Sequence, residues 1–309
     1  MLLPTAAMEV LPIHVSTRLH ERRIVIDAPA KLNLGLEVIG RRHDGFHEIA
    51  TIFVAIDISD RVTLSPADGL ELSCDDDALA GEENLAWRAL RLLRDETNYP
   101  GGARIHLRKR IPAAAGLGGA SSDAAAALVG GRELWQQNLS DAELHDLATR
   151  LGSDVSFFLR GGCALGRGRG ELLESLPLPT DRWFVVVVPD VQIPAKTTSL
   201  YGRLTADDFS DGSRIAAQAE RLRAGLDPHA TLLGNAFARP LYAVVPELAA
   251  LPDIMHAVGA ESVAISGAGP AHYAVLTGEA QAEQVAACVR ERLGDRAQVF
   301  VARPAPSRS

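Results

Sequence analysis

The sequence predicts an α+β protein of two lobes, and three observations carry that expectation. At 309 residues the chain exceeds what one hydrophobic core usually organises. Short β-branched runs and amphipathic helical stretches are interleaved, strands with helices in the first half and a mixed α+β set in the second. A proline-rich break, LPLPTD at residues 176–181, separates the halves and sets a boundary near residue 180.

The elements follow in order. Residues 23–28 (RIVIDA) alternate and read as a strand; residues 32–40 and 48–58 read the same way, joined by the polar turn RRHDG. Residues 70–74 form another short strand, and residues 82–96 place Leu85, Ala89 and Leu92 on one helical face. A strand at 104–107 leads into IPAAAGLGGASS, after which DAAAALVGGREL reads as a helix. Residues 140–151 open with a capping box, Ser140 with Glu143, and bury Leu144, Leu147 and Leu151. In the second half, residues 184–188 are a continuous β-branched run, the mark of a central strand buried on both faces. Helices are expected over 214–225 and 230–244, with Pro240 breaking or kinking the latter. Short strands at 262–265, 272–276 and 298–302 and an amphipathic helix over 280–293, closed by Gly294, complete the set. No internal repeat is present, and the tail PAPSRS is expected to be disordered.

Composition narrows the function. With 47% hydrophobic and 23% charged residues the chain is ordinary globular protein, which excludes global disorder. A net charge of −8 and a pI near 5.6 argue against nucleic acid as a partner. The three cysteines, Cys74, Cys163 and Cys288, form no metal-binding spacing and suit a reducing, cytoplasmic setting. No apolar run approaches the ~20 residues of a membrane span, and the first residues lack the pattern of a signal peptide.

The strongest local signal runs through Pro112, Ala113, Ala114, Ala115, Gly116, Leu117, Gly118, Gly119, Ala120, Ser121 and Ser122. Its glycines let backbone N–H groups converge, and the helix that follows brings its positive end. Strand, Gly-rich loop and helix N-terminus together make a phosphate cradle, although no GK[ST] closes it. The bland reading is a flexible turn with an ordinary Ser cap. Lys109, directly before the loop, is placed to reach a nucleotide or to sit at a solvated strand end. In APAKLNL, Lys31, Asn33 and Gly35 share one strand face, which suggests a site; an edge-strand Lys guarding against aggregation is the alternative. Asp154, in LGSDVSFF, either serves a site or caps a short helix, and the adjoining Phe residues read as core. A second small-residue loop, ISGAGP at 265–270, allows close approach to a ligand or simply turns the chain. The glycines around Arg167 and Arg169 suggest a hairpin with a solvated basic edge. His43, Asp44 and His47 do not make a metal set.

Taken together, APAKLNLGL, KRIPAAAGLGGASSDAAAAL and ISGAGP, in that order, resemble the GHMP small-molecule kinases. The additional segments GRRHDGFHEI and GSDVSFFLRGG resemble the branch of that family that phosphorylates a cytidylylated methylerythritol in the non-mevalonate route to isoprenoids. The likeness extends over residues 23 to 305. It implies a GHMP fold: a lobe like ribosomal protein S5 domain 2 over 23–180, and a ferredoxin-like lobe over 181–305, after an extension at 1–22. It further implies ATP as donor, Mg²⁺ as counter-ion, an acceptor with a cytidine diphosphate moiety phosphorylated at its C2 hydroxyl, and a monomer or weak homodimer. Carried over by position, Lys31 and Asp154 are the catalytic pair. Pro112 to Ser122 hold the phosphates, Asn84 and Lys109 lie on the nucleotide side, and Asn33, Phe46 and His47 lie on the acceptor side. Thr197 and Tyr201 supply the Thr-x-x-x-aromatic spacing in IPAKTTSLY if an insertion precedes it. Ala120 stands where the family has Gly, and Phe46 where Tyr is common, so ring stacking survives and a phenol hydrogen bond is lost. Two other readings are a sister kinase such as homoserine kinase and a nucleotide- or sugar-sensing module without catalysis.

Overall fold

The computed structural model describes residues 22–307. The expected extension over residues 1–22 therefore lies, all but its last residue, outside the described residues, as do positions 308–309. Two strands of unusual length form the spine of the first sheet: β1 (Ile24–Arg41) and β2 (His47–Ala67), antiparallel to each other. The sequence suggested two separate strands where β1 is continuous. Pro29 interrupts nothing because it sits at a register shift between Pro29 and Ala30, where proline's missing N–H is tolerated.

β3 (Leu70–Cys74), α1 (Leu85–Thr97), β4 (Gly102–Arg108), α2 (Gly119–Leu134), α3 (Asp141–Leu151), α4 (Ser153–Arg160), β5 (Cys163–Arg167) and β6 (Leu172–Leu176) follow. The strand order is β3-β4-β2-β5-β6, with β1 also on β2. The helices bury one core with this sheet, in which Leu90, Leu128, Phe157 and Phe158 are fully enclosed. The Ser140–Glu143 capping box is formed, and β5 with β6 is the expected hairpin.

The second sheet is antiparallel, β10-β7-β9-β8, built from β7 (Trp183–Pro189), β8 (Val263–Ile265), β9 (His272–Leu276) and β10 (Ala297–Ala302). Its Val-rich β7 is interior, as its sequence requires. α5 (Lys196–Tyr201), α6 (Ser213–Arg223), α7 (Ala238–Val244), α8 (Leu251–His256) and α9 (Glu279–Leu293) accompany it. The helix expected over 230–244 is only α7, preceded by a 3₁₀ turn at Ala230–Leu232. Pro240 falls in the first turn of α7, where N–H groups have no intrahelical acceptor, so it neither breaks nor kinks the helix.

Two features join the sheets. At the bulge between Asn33 and Leu36, Gly35 takes φ 96°, and a Cβ there would fall 2.7 Å from Ile215 and 2.8 Å from the Leu232 carbonyl. β1 thereby reaches the other half, where Leu36 N donates to Gly234 O at 3.0 Å and Ala236 N to Leu36 O at 3.0 Å. The tail corrects another expectation. Residues 304–307 are ordered, with Ala305 N donating to Ala55 O at 2.8 Å and a bridge between Gly161 and Ser307. β5 stops pairing at Val54, and the tail takes up the β2 backbone groups beyond it.

Candidate active site

The site assembles where β1, the Gly-rich loop and the second small-residue loop meet. Lys31 is buried, 3% exposed, and its Nζ donates to Asn33 Oδ1 at 2.6 Å and lies 3.6 Å from Asp154 Oδ2. Asp154 comes from the first turn of α4, which starts after Gly152. Burial pushes the Lys31 ammonium below its ordinary pKa, and attraction to Asp154 opposes that shift. Asn33 is a hub: its Nδ2 donates to Thr51 Oγ1 at 2.8 Å, and its Oδ1 accepts Gly267 N at 2.8 Å. Thr51 in turn donates to Gly35 O at 2.7 Å, so the bulge and the polar network fix each other.

The two loops are mutually supporting. Lys31 N donates to Leu117 O at 2.9 Å, Ser266 Oγ to Gly116 O at 3.0 Å, and Ala271 N to Ala115 O at 3.0 Å. Gly116 and Gly118 take φ 89° and 76°; a Cβ at Gly116 would fall 2.3 Å from the Ser266 carbonyl, and one at Gly118 2.7 Å from Phe158. Glycine is therefore required by both conformation and space. The N-cap of α2 is Gly118, with no side-chain cap bond, so Ser121 and Ser122 lie in the first turn and are not caps. The Ser122 hydroxyl is buried without a partner among the described residues.

A cavity of about 820 Å³ opens onto this junction, lined by Lys31, Asn33, Ser121, Asp154 and Gly267 together with Phe46, His47, Thr197 and Tyr201. The catalytic and acceptor-side residues expected from sequence thus share one wall system. Phe46 and His47 are not a side-by-side ring pair. His47 packs on Tyr201, centroids 5.0 Å apart, and on Phe209 at 6.1 Å, whereas Phe46 is 54% exposed with the Arg169 guanidinium 4.8 Å over its ring. Arg169 therefore belongs to the cavity and is not merely a solvated edge. Burial lowers the His47 pKa, with Arg41 adding to it, and pushes the Tyr201 phenol up to about 12.

Two nucleotide-side expectations meet a different arrangement. Asn84 is the N-cap of α1: its Oδ1 accepts Ala86 N at 2.9 Å and its Nδ2 donates to Leu79 O at 2.8 Å. Lys109 Nζ is held 2.5 Å from both Asp60 and Asp123, beneath the loop and away from the cavity lining. Asp60 also accepts Arg110 N and Ile111 N, at 2.6 and 2.8 Å. Asn84 thus holds backbone at the start of α1, and Lys109 holds the Asp60 carboxylate that accepts the backbone leading into the loop. Of the loop itself, Ser121 lines the cavity.

Sequence reading did not single out Thr51, Phe209, Asn235 or Lys196. Asn235 Nδ2 donates to Ile265 O and Gly267 O, both at 2.8 Å, fixing the second loop. Lys196 Nζ donates to Ala114 O at 2.6 Å and to Gly269 O. Its place in the helix that carries Thr197 and Tyr201 is the signal that could have found it. Among the described residues no cluster of three or more His, Cys, Asp or Glu could hold a metal ion, and no helix is long and apolar enough to cross a membrane.

Comparison with known proteins agrees with this arrangement. The GHMP kinases N terminal domain matches residues 84–162 and the GHMP kinases C terminal domain residues 217–295. The 4-diphosphocytidyl-2-C-methyl-D-erythritol kinase of Symbiobacterium thermophilum is 42% identical over 258 residues, covering 81% of this chain and 90% of its own length. A crystal structure of 4-(cytidine 5'-diphospho)-2C-methyl-D-erythritol kinase superposes with a TM-score of 0.76 at 35% identity, covering 91% of this chain and all of that one. Homoserine kinase from Cytophaga hutchinsonii shares the fold alone, with a TM-score of 0.70 at 18% identity over 98% of each chain. At this identity and coverage the chain belongs to the 4-diphosphocytidyl-2-C-methyl-D-erythritol kinases of the GHMP family.

Proposed function

We propose that the chain transfers the γ-phosphoryl group of ATP to the C2 hydroxyl of 4-diphosphocytidyl-2-C-methyl-D-erythritol, with Lys31 and Asp154 as its catalytic pair. The observation that carries the reading is that buried Lys31 and half-buried Asp154, 3.6 Å apart, share one cavity with the rings of Phe46, His47 and Tyr201. A polar reacting pair and aromatic rings in one cavity are what a cytidylylated alcohol needs.

Phosphoryl transfer spreads negative charge over three equatorial oxygens, so positioning and cationic stabilisation dominate over covalent chemistry. The backbone N–H groups of the loop and the N-terminus of α2 face the phosphates, and Lys31 neutralises charge on the transferring group. Asp154 orients the acceptor hydroxyl and takes its proton as the new O–P bond forms, while the bond to the β-phosphate breaks and ADP leaves. Phe46 and Tyr201 stack on the cytosine, and His47 hydrogen-bonds its edge. Mg²⁺ fits the donor set as an ion that brings most of its ligands as phosphate and water oxygens, since Asp154 is the one carboxylate among the residues that line the cavity, beside hydroxyls such as those of Ser121 and Ser153. It would supply charge neutralisation on the phosphates when bound.

The test is ADP release with ATP and Mg²⁺ and, separately, the cytidylylated methylerythritol, homoserine or mevalonate. Turnover confined to the first is expected. Equal or better turnover of another acceptor would overturn the assignment.

A further inference from the structure

We propose that Lys196 is a positioning residue for the ATP phosphates: its ammonium clamps the loop over 112–122 to the loop over 266–270 and adds an uncompensated positive charge beside Lys31. The inference rests on the kinase reading above.

The clamp is seen directly. Lys196 opens α5 and donates to the carbonyls of Ala114 and Gly269, which lie 82 and 73 positions away in sequence and belong to the two facing loops. Ala114 holds φ 52°, a conformation that a residue with a Cβ seldom adopts without being held there. One of the bonds that hold it comes from Lys196.

The choice of a cation needs its own explanation. A neutral amide would satisfy two carbonyls, and a lysine serving only structure would be expected to have a carboxylate beside it, as Lys109 has two. Among the described residues no ion pair is made by Lys196, and its ammonium, with three N–H groups, has one left beyond the two carbonyls. Burial and the charge of Lys31 both lower its pKa, to about 8. The Lys196 ammonium thus feels the charge of Lys31, while the carboxylate beside Lys31, Asp154, makes no ion pair with Lys196. That imbalance costs free energy in the empty site and is relieved by a polyanion. A triphosphate at the cradle is the anion that the rest of the site calls for.

Lys196→Met keeps the side-chain stem and removes both donors and charge. We expect the KM for ATP to rise about tenfold or more, as loss of a charge-assisted contact implies, with kcat changed less and the KM for the acceptor within about twofold. Amide hydrogen exchange over residues 113–118 should quicken. Lys196→Gln keeps a donor and drops the charge, and serves also if the Met variant does not fold. It should match Met in its KM for ATP while retaining more of the exchange protection. An unchanged KM for ATP in either folded variant, or an acceptor KM that rises as much as that for ATP, would overturn the proposal. Failure of the kinase reading would look different, because the wild-type chain would then neither bind ATP in calorimetry nor release ADP.

Discussion

Replacing Lys109 by Met distinguishes a lysine that reaches nucleotide from one that holds the floor of the cradle. The structure favours the second. The Asp60 and Asp123 side chains are 0% and 3% exposed, and Lys109 Nζ lies 2.5 Å from each. Lys109→Met would leave two buried carboxylates facing each other with no cation. Breaking a buried pair in this way costs about 3–5 kcal/mol. At roughly 2–4 °C per kcal/mol for a unit of 150–250 residues, the melting point should fall by about 6–20 °C. Asp60 also accepts the N–H groups of Arg110 and Ile111, so its displacement would shift the entry to the loop.

The pH dependence follows in sign. Burial already pushes the Asp123 carboxyl up to about 7, with Lys109 opposing, and removal of Lys109 leaves burial unopposed. A carboxyl whose pKa is raised on folding binds more protons in the folded state, so its penalty is full above the folded value and fades as pH falls toward the unfolded value near 4. The deficit of Lys109→Met should therefore be largest near pH 8 and shrink toward pH 5, and adding Asp123→Asn should restore part of it. Thermal melts at both pH values, run beside the KM for ATP, decide the matter. A melting point within about 2 °C of wild type together with a KM for ATP raised tenfold would refute the reasoning and return Lys109 to the nucleotide.

Three other outcomes are expected. Lys31→Ala and Asp154→Asn should each lower turnover by about 10²–10⁴-fold at saturating substrates while melting near wild type, read by coupled ADP release. Gly118→Val should weaken ATP more than the acceptor in calorimetry, because φ 76° and the 2.7 Å approach to Phe158 leave no room for a branched side chain. Phe46→Ala should raise the acceptor's Kd about tenfold, from ~1–3 kcal/mol of lost base stacking, and CMP should compete with the acceptor far better than UMP.

Much of this was legible in the sequence where the signal is local. Alternation and apolar periodicity located most elements, and the capping box at Ser140 needed only four consecutive residues. The pairing of Lys31 with Asp154 came from motif resemblance, and the structure brings them within 3.6 Å. Local pattern is silent where a distant partner acts. A lysine before a glycine loop reads as phosphate-facing, but Asp60, 49 positions earlier, takes Lys109. Asn84 looks like a ligand by position, and the structure gives it a second task, holding the start of α1 with one N–H and its carbonyl oxygen. Lys196 and Asn235 are ordinary polar residues until loops from elsewhere in the chain fold against them.

The meeting of the two glycine loops over Lys31 also has a consequence in time. Ser266, whose hydroxyl bonds the Gly116 carbonyl, lies 235 positions after Lys31. Translation at ~5–20 residues per second therefore separates the appearance of the two by roughly 10–50 s. For that interval the nascent first sheet carries its key ammonium on a strand whose covering loop has not yet been made. The two loops can therefore meet only after residue 271 has been made, and a product cut short before the second loop would retain Lys31, Gly116 and Gly118 but lack Ser266 and Ala271, which bond the Gly116 and Ala115 carbonyls.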